Sequence, residues 1–268
     1  MRWVRLRETY AAKTQQLWNG RDWFNDFDTR TMSAIASAAR DVGQVGPIFC
    51  GAAAPEQTAS MIPTLRAFYE ASRDGKAGEA DPLFWSSLML PYLESLWSAR
   101  EFELLAEVIH TIADRIYKSM DRRTVAEIED NRRLGWPGVS CEQWGAEGAK
   151  GGEGYGWGAV MPAHIIRNIL GVRETSDPNQ LFLSPNLPRA LMTPGHTYGL
   201  ENLSLCTRRF SVRFAVKGDD AIAVTGQWPA GEITVEDAGD GSRIESARDA
   251  FSFLARNHHL YRLTASAT

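Results

Sequence analysis

Up to about residue 175, apolar residues recur mainly at helical spacing; beyond it they alternate with polar ones. Trp3, Leu6, Tyr10, Leu17 and Trp18 predict a helix over 3–18, closed by Asn19-Gly20. From Trp23 to Arg30 aromatic residues partly alternate with acidic ones, as in a short strand or extended loop. Residues 32–46 are alanine-rich and weakly patterned, and Pro47-Ile48-Phe49-Cys50-Gly51 follows as a buried segment. Pro55-Glu56-Gln57 starts a second helix, whose apolar face is Ile62, Leu65, Phe68 and Tyr69. A polar, glycine-bearing loop covers 73–80. Asp81-Pro82 then opens a helix that is apolar almost all round, from Phe84 and Trp85 to Leu96 and Trp97, with Pro91 predicting a kink. Residues 101–119 form the cleanest amphipathic helix, with Leu105, Val108, Ile109, Ile112 and Ile116 inside. A charged stretch over 121–133 precedes a last helix over 157–170.

After Arg173, prolines at 178, 185, 188 and 194 punctuate the chain. Phe210–Val216, Ala221–Thr225 and Glu232–Glu236 alternate, with turns at Gly218-Asp219-Asp220 and Asp237–Gly241. That is a run of short antiparallel strands. The expected organisation is an all-α part over 1–175 and an antiparallel β region, sandwich-like, over 176–268.

The net charge of −4 supplies no basic stripe, which argues against a nucleic-acid partner. Cys50, Cys141 and Cys206 form neither a disulfide framework nor a zinc spacing, as in a reducing cytoplasm. No apolar run reaches the length of a membrane span, and Met1–Thr14 lacks the apolar core of a signal peptide. Nine tryptophans are many for 268 residues, and they cluster near 18–23, 85–97 and 136–157.

Residues 134–172 hold three of those tryptophans, many glycines and the carboxylate of Glu142. Glycines let a backbone approach a ligand closely, and aromatic faces stack on sugar rings. The stretch reads either as a pocket for a neutral polyol or as a surface loop with Glu142 solvated. His164, on the apolar face of its helix, reads as a core histidine. His258-His259 has no metal-site spacing, and Cys141 has no histidine in local register to make it a nucleophile. No cofactor or metal is expected.

The order of these segments resembles the second half of the (α/α)6-barrel glycosidases: trehalases, processing α-glucosidases and mannosylglycerate-hydrolase-like enzymes. The carriers are Leu17-Trp18-Asn19-Gly20 with Trp23–Asp28, Pro47–Gly51, Pro55-Glu56-Gln57, Asp81–Trp85, Glu142, and Gly151–Ala159. The resemblance implies a mainly α fold, a partial (α/α)6 toroid followed by a small β domain. A closed ring of about six hairpins needs about twelve helices, and this chain supplies about half of them. It also implies an inverting hydrolase of small α-linked glycosides, with Glu142 as general base. Trp85, Trp144, Tyr155 and Trp157 would stack on substrate, while Asp26, Asp28 and Asp81 would bind hydroxyls or fix loops. Two departures stand out. Trp85-Ser86-Ser87-Leu88-Met89 replaces the family's WRGPVW motif, and no position matches its general-acid aspartate. The implied partners are a carbohydrate and either a missing N-terminal half or a second copy. The alternative is a non-catalytic carbohydrate-binding or protein-interaction module.

Overall fold

The computed structural model describes residues 2–23, 26–28, 30, 33–35, 42–76, 78, 81–117, 143–145, 148–150, 160–205 and 208–266. They fall into two compact units: 1–104 with 112–159, and 105–111 with 160–268.

In the first unit, helix α1 (Arg2–Gln15) ends at the polar residue that ties it to the next long helix. Gln57 Nε2 donates to Gln15 Oε1 at 2.8 Å, while Gln57 Oε1 accepts the Ala54 N–H at 2.8 Å. The latter bond satisfies a backbone donor at a helix start. Strands β1 (Asp26–Asp28) and β2 (Ser33–Ile35) pair antiparallel. The short helix α2 (Gly46–Phe49) precedes α3 (Pro55–Arg73), which buries Met61, Leu65 and Phe68 completely on one face. Pro63 lies inside α3 and removes one helical hydrogen-bond donor.

Helix α4 (Met89–Ser98) begins later than the apolar run suggests. Asp81–Phe84 form turns and Ser86–Leu88 a 3-10 turn, so Pro91 falls in the first turn of α4, where the predicted kink is not required. Tyr92, Leu93 and Leu96 are fully buried. The Tyr92 hydroxyl donates to the Leu65 carbonyl at 2.6 Å and so joins α4 to α3. Arg100, with φ 58°, reverses the chain into α5 (Phe102–Tyr117), and its neighbour Glu101 pairs with Arg66. Strands β3 (Gln143–Gly145) and β4 (Gly148–Lys150) form a small antiparallel pair.

The second unit takes residues 105–111 of α5 and resumes with α6 (Met161–His164), which runs on as a π-helical turn over Ile165–Ile169. Strands β5 (Val172–Glu174), β6 (Gln180–Leu183), β7 (Thr197–Leu205), β8 (Arg208–Val216), β9 (Ala221–Asp237), β10 (Arg243–Arg256) and β11 (Tyr261–Ala265) build one antiparallel sheet. Its order is β5-β6-β11-β9-β8-β7, with β10 on the other edge of β9. The long β9 makes this possible. Its first half pairs with β8 and its second half with β11, while β10 follows it throughout. The sheet thereby bends into a nearly closed, barrel-like body.

Alternation fills that body. Phe210, Val212, Phe214 and Val216 of β8 point inward with Ile222 and Val224 of β9 and Phe251 of β10, all 3 % exposed or less. Phe251 lies opposite Gly226, where a Cβ would come within 2.1 Å of its ring. Glycine here leaves room for an aromatic side chain to cover the neighbouring strand. Gly171, with φ 65°, lies so close to the Ser184 carbonyl that a Cβ would meet it at 1.7 Å.

These findings correct the expected fold class. The chain is not mainly α and does not form an (α/α)6 toroid; it combines helices with a barrel-like antiparallel sheet. The trehalase-like and six-hairpin description falls with the toroid. Helical periodicity marks which segments wind but not how they are arranged. The β part was also underestimated, since Ala221–Thr225 and Glu232–Glu236 belong to one strand of 17 residues.

Candidate functional site

The candidate site in the first unit centres on the segment after Asp81. The Asp81 N–H donates to the Gly78 carbonyl at 2.8 Å, and the Phe84 N–H to the Asp81 carbonyl at 3.0 Å. The Asp81 carboxylate is 6 % exposed and accepts the Gly78 N–H through Oδ2 at 3.0 Å. A carboxylate bonded back to a nearby amide closes a turn. The turn buries Pro82, Leu83 and Phe84 and delivers Trp85 half-buried at its end. The Trp85 ring packs edge-on to Phe84, with centroids 5.3 Å apart and planes at 75°.

The backbone of Trp85 forms an antiparallel bridge with Gln143. Gln143 directly follows Glu142 in the chain, and Trp144 stands next on β3, opposite Ala149 of β4. Two segments 58 positions apart therefore meet at Trp85 and Gln143. Glu142, Tyr155 and Trp157 lie outside the described residues. Asp26 and Asp28 take the ends of β1, opposite Ile35 and Ser33.

Three further tryptophans among the described residues of this unit, Trp18, Trp23 and Trp97, serve packing. Trp18 and Trp23 bridge through their backbones and set their rings 4.9 Å apart. Trp23 is 1 % exposed. Trp97 packs on Phe102, also at 4.9 Å.

Sequence reasoning missed a polar network in the second unit. His164, Asn168, Arg173, Ser184 and Asn186 are all buried. His164 Nδ1 and Asn168 Nδ2 are 3.3 Å apart, and Arg173 donates to Asn168 Oδ1 and, through Nε, to the Arg167 carbonyl at 3.2 Å. Asn186 Nδ2 donates to the Asn168 carbonyl at 2.9 Å, while Ser184 Oγ donates to Asn186 Oδ1 at 2.9 Å. The network clamps the π turn against the backbone entering β5 and leaving β6. A π turn displaces the regular backbone bonds, and buried side chains of this kind supply replacements. The only sequence signal was a histidine and an asparagine four positions apart on an otherwise apolar helix face.

His259 Nε2 lies 2.6 Å from Asp237 Oδ2 and links the β9–β10 turn to the start of β11. The Gly239 N–H, and then His259, hold the Asp237 carboxyl below its ordinary value. Among the described residues no group of three or more histidine, cysteine or acidic side chains could hold a metal ion. No described helix is long and apolar enough to cross a membrane.

No protein-family model matches the chain, and no curated protein matches its sequence.

Proposed function

We propose that the chain binds a small α-linked glycoside beside Trp85 and that Glu142 supplies the base of an inverting hydrolysis. The observation that carries this reading is the backbone bridge between Trp85 and Gln143, one residue from Glu142. An indole face stacks on the apolar face of a sugar ring, and a carboxylate beside it deprotonates water. Inversion also needs a second carboxyl, about 6.5–9.5 Å from the first, to protonate the leaving oxygen. In this proposal that second carboxyl comes from a further segment or a partner.

That gap dictates the test. In α-glucosyl fluoride the leaving group departs as fluoride without needing a proton. Water forms the new bond at the anomeric carbon, the carbon–fluorine bond breaks, and Glu142 takes the proton from water. The purified chain should release fluoride and initially β-glucose, read by proton NMR, and should leave trehalose untouched. Glu142→Gln should abolish the release, a loss on the order of 10²–10⁴-fold. Equal fluoride release from Glu142→Gln overturns the assignment of the base, and efficient trehalose turnover overturns the missing acid.

A non-catalytic carbohydrate-binding module is the second reading. Asp81 favours it, because that carboxylate already holds its own loop through Gly78. Sugar binding without fluoride release, unchanged in Glu142→Gln, is its signature.

A further inference from the structure

The outer face of the second unit carries a groove of about 810 Å³ across β7, β8, β9 and β10. The ladder aligns its lining in two rows. Gly199, Arg213 and Thr225 form one, and Ser211, Gln227 and Ala250 form the next. Their neighbours in each strand, such as Val212, Val224 and Phe251, point into the core. The rows therefore lie on the opposite, outward face.

Two register breaks border the groove, both on the side of the row of Ser211, Gln227 and Ala250. In one, the β7–β8 register slips between Leu200 and Leu203, where Asn202 adopts φ 57° and its N–H donates to Ser211 Oγ at 3.0 Å. Beyond the row of Gln227 and Ala250, the β9–β10 register breaks as well. Such breaks bend strands and re-aim their side chains, which makes a flat face concave.

Four polar side chains in this concavity are uncommitted. Among the described residues, the side chains of Glu201, Arg213, Thr225 and Gln227 make no hydrogen bond or ion pair. The ladder consumes the backbone groups beneath them, so an added peptide strand finds nothing to pair with on this face. One guanidinium and one carboxylate cancel in charge, which disfavours an anion. What remains is a mixed set of donors and acceptors that suits hydroxyl groups, each of which gives and takes a hydrogen bond. The volume fits a ligand of drug size or larger.

We infer that this groove is a second, non-catalytic binding site, and that its ligand is a neutral oligosaccharide lying across β7–β10. The inference is independent of the site at Trp85. The full chain is to be applied to an array of α- and β-linked neutral glucans, mannans and galactans, with uronate- and sulfate-bearing chains alongside. The best neutral binder is then titrated by calorimetry against wild type, Arg213→Ala/Gln227→Ala and Trp85→Ala. The groove variant changes only exposed side chains, so its fold should persist. Losing two hydrogen-bonding side chains should weaken binding about tenfold or more. That loss supports the inference whatever Trp85→Ala does, and the Trp85→Ala titration reports separately on the first site. Absence of any neutral binder, binding confined to charged chains, or unchanged affinity of the groove variant each overturns it.

Discussion

Asp249 holds the bend that lets one strand serve both halves of the barrel-like sheet. Between the pairs Gln227–Ala250 and Glu232–Arg248, four residues of β9, Trp228–Gly231, face the single residue Asp249. The Ala230 and Gly231 N–H groups lose their ladder partners there. Asp249 Oδ1 accepts both, at 3.1 and 2.8 Å, from a backbone at φ 57°. A hydrogen bond to a charged group contributes about 1.5–3 kcal/mol, and half-exposure of this carboxylate reduces that. Removing both bonds should therefore cost about 2–3 kcal/mol in total. Three variants separate the causes. Asp249→Asn keeps an acceptor oxygen and tolerates positive φ, so it should stay within about 1 kcal/mol of wild type. Asp249→Ala should show the full loss. Asp249→Gly loses the bonds but relieves the left-handed backbone, so it should recover about 1 kcal/mol of the alanine loss. Urea unfolding measures the series, and native-state hydrogen exchange reads the Ala230 and Gly231 amides directly. If Asp249→Ala lies within about 0.5 kcal/mol of wild type, or those two amides keep their protection, the carboxylate does not hold the bend.

Tyr92→Phe should destabilise the helical unit by about 1 kcal/mol in urea, because it deletes the bond to the Leu65 carbonyl from a fully buried hydroxyl; no change would mean that the ring alone joins α4 to α3. Asp237 should contribute to acid stability with a defined sign. Its folded-state carboxyl is depressed below 3.8, so its contribution is complete above the unfolded value and is lost as pH falls through the lower folded one. Asp237→Asn should flatten the pH dependence of unfolding below about pH 4, and an unaltered acid limb would show that the pairing with Gly239 and His259 has no energetic consequence.

The helices were legible wherever one face repeated every third or fourth residue. Pro55–Arg73 was read almost to its ends from Pro55, Leu65 and Phe68. The start of α4 was misread, because Leu83 and Phe84 are buried without being helical. Burial makes a turn as apolar as a helix, and Asp81-Pro82 opens either. The long strand β9 was read as two fragments, since Pro229 and Gly231 look like punctuation, and its partner β10 was not singled out. Here Pro229 and Gly231 sit in a bend that Asp249 completes from the other strand. The same limit governs the two sites. A backbone bridge such as Trp85–Gln143 leaves no trace in side-chain pattern. Arg213, Thr225 and Gln227 are each ordinary outward positions along their own strands, and only the register sets them side by side. What single-chain periodicity conveys is which face of an element is covered. Which elements share an edge is decided by pairings dozens of residues apart, and in this protein both proposed sugar sites are built at such pairings.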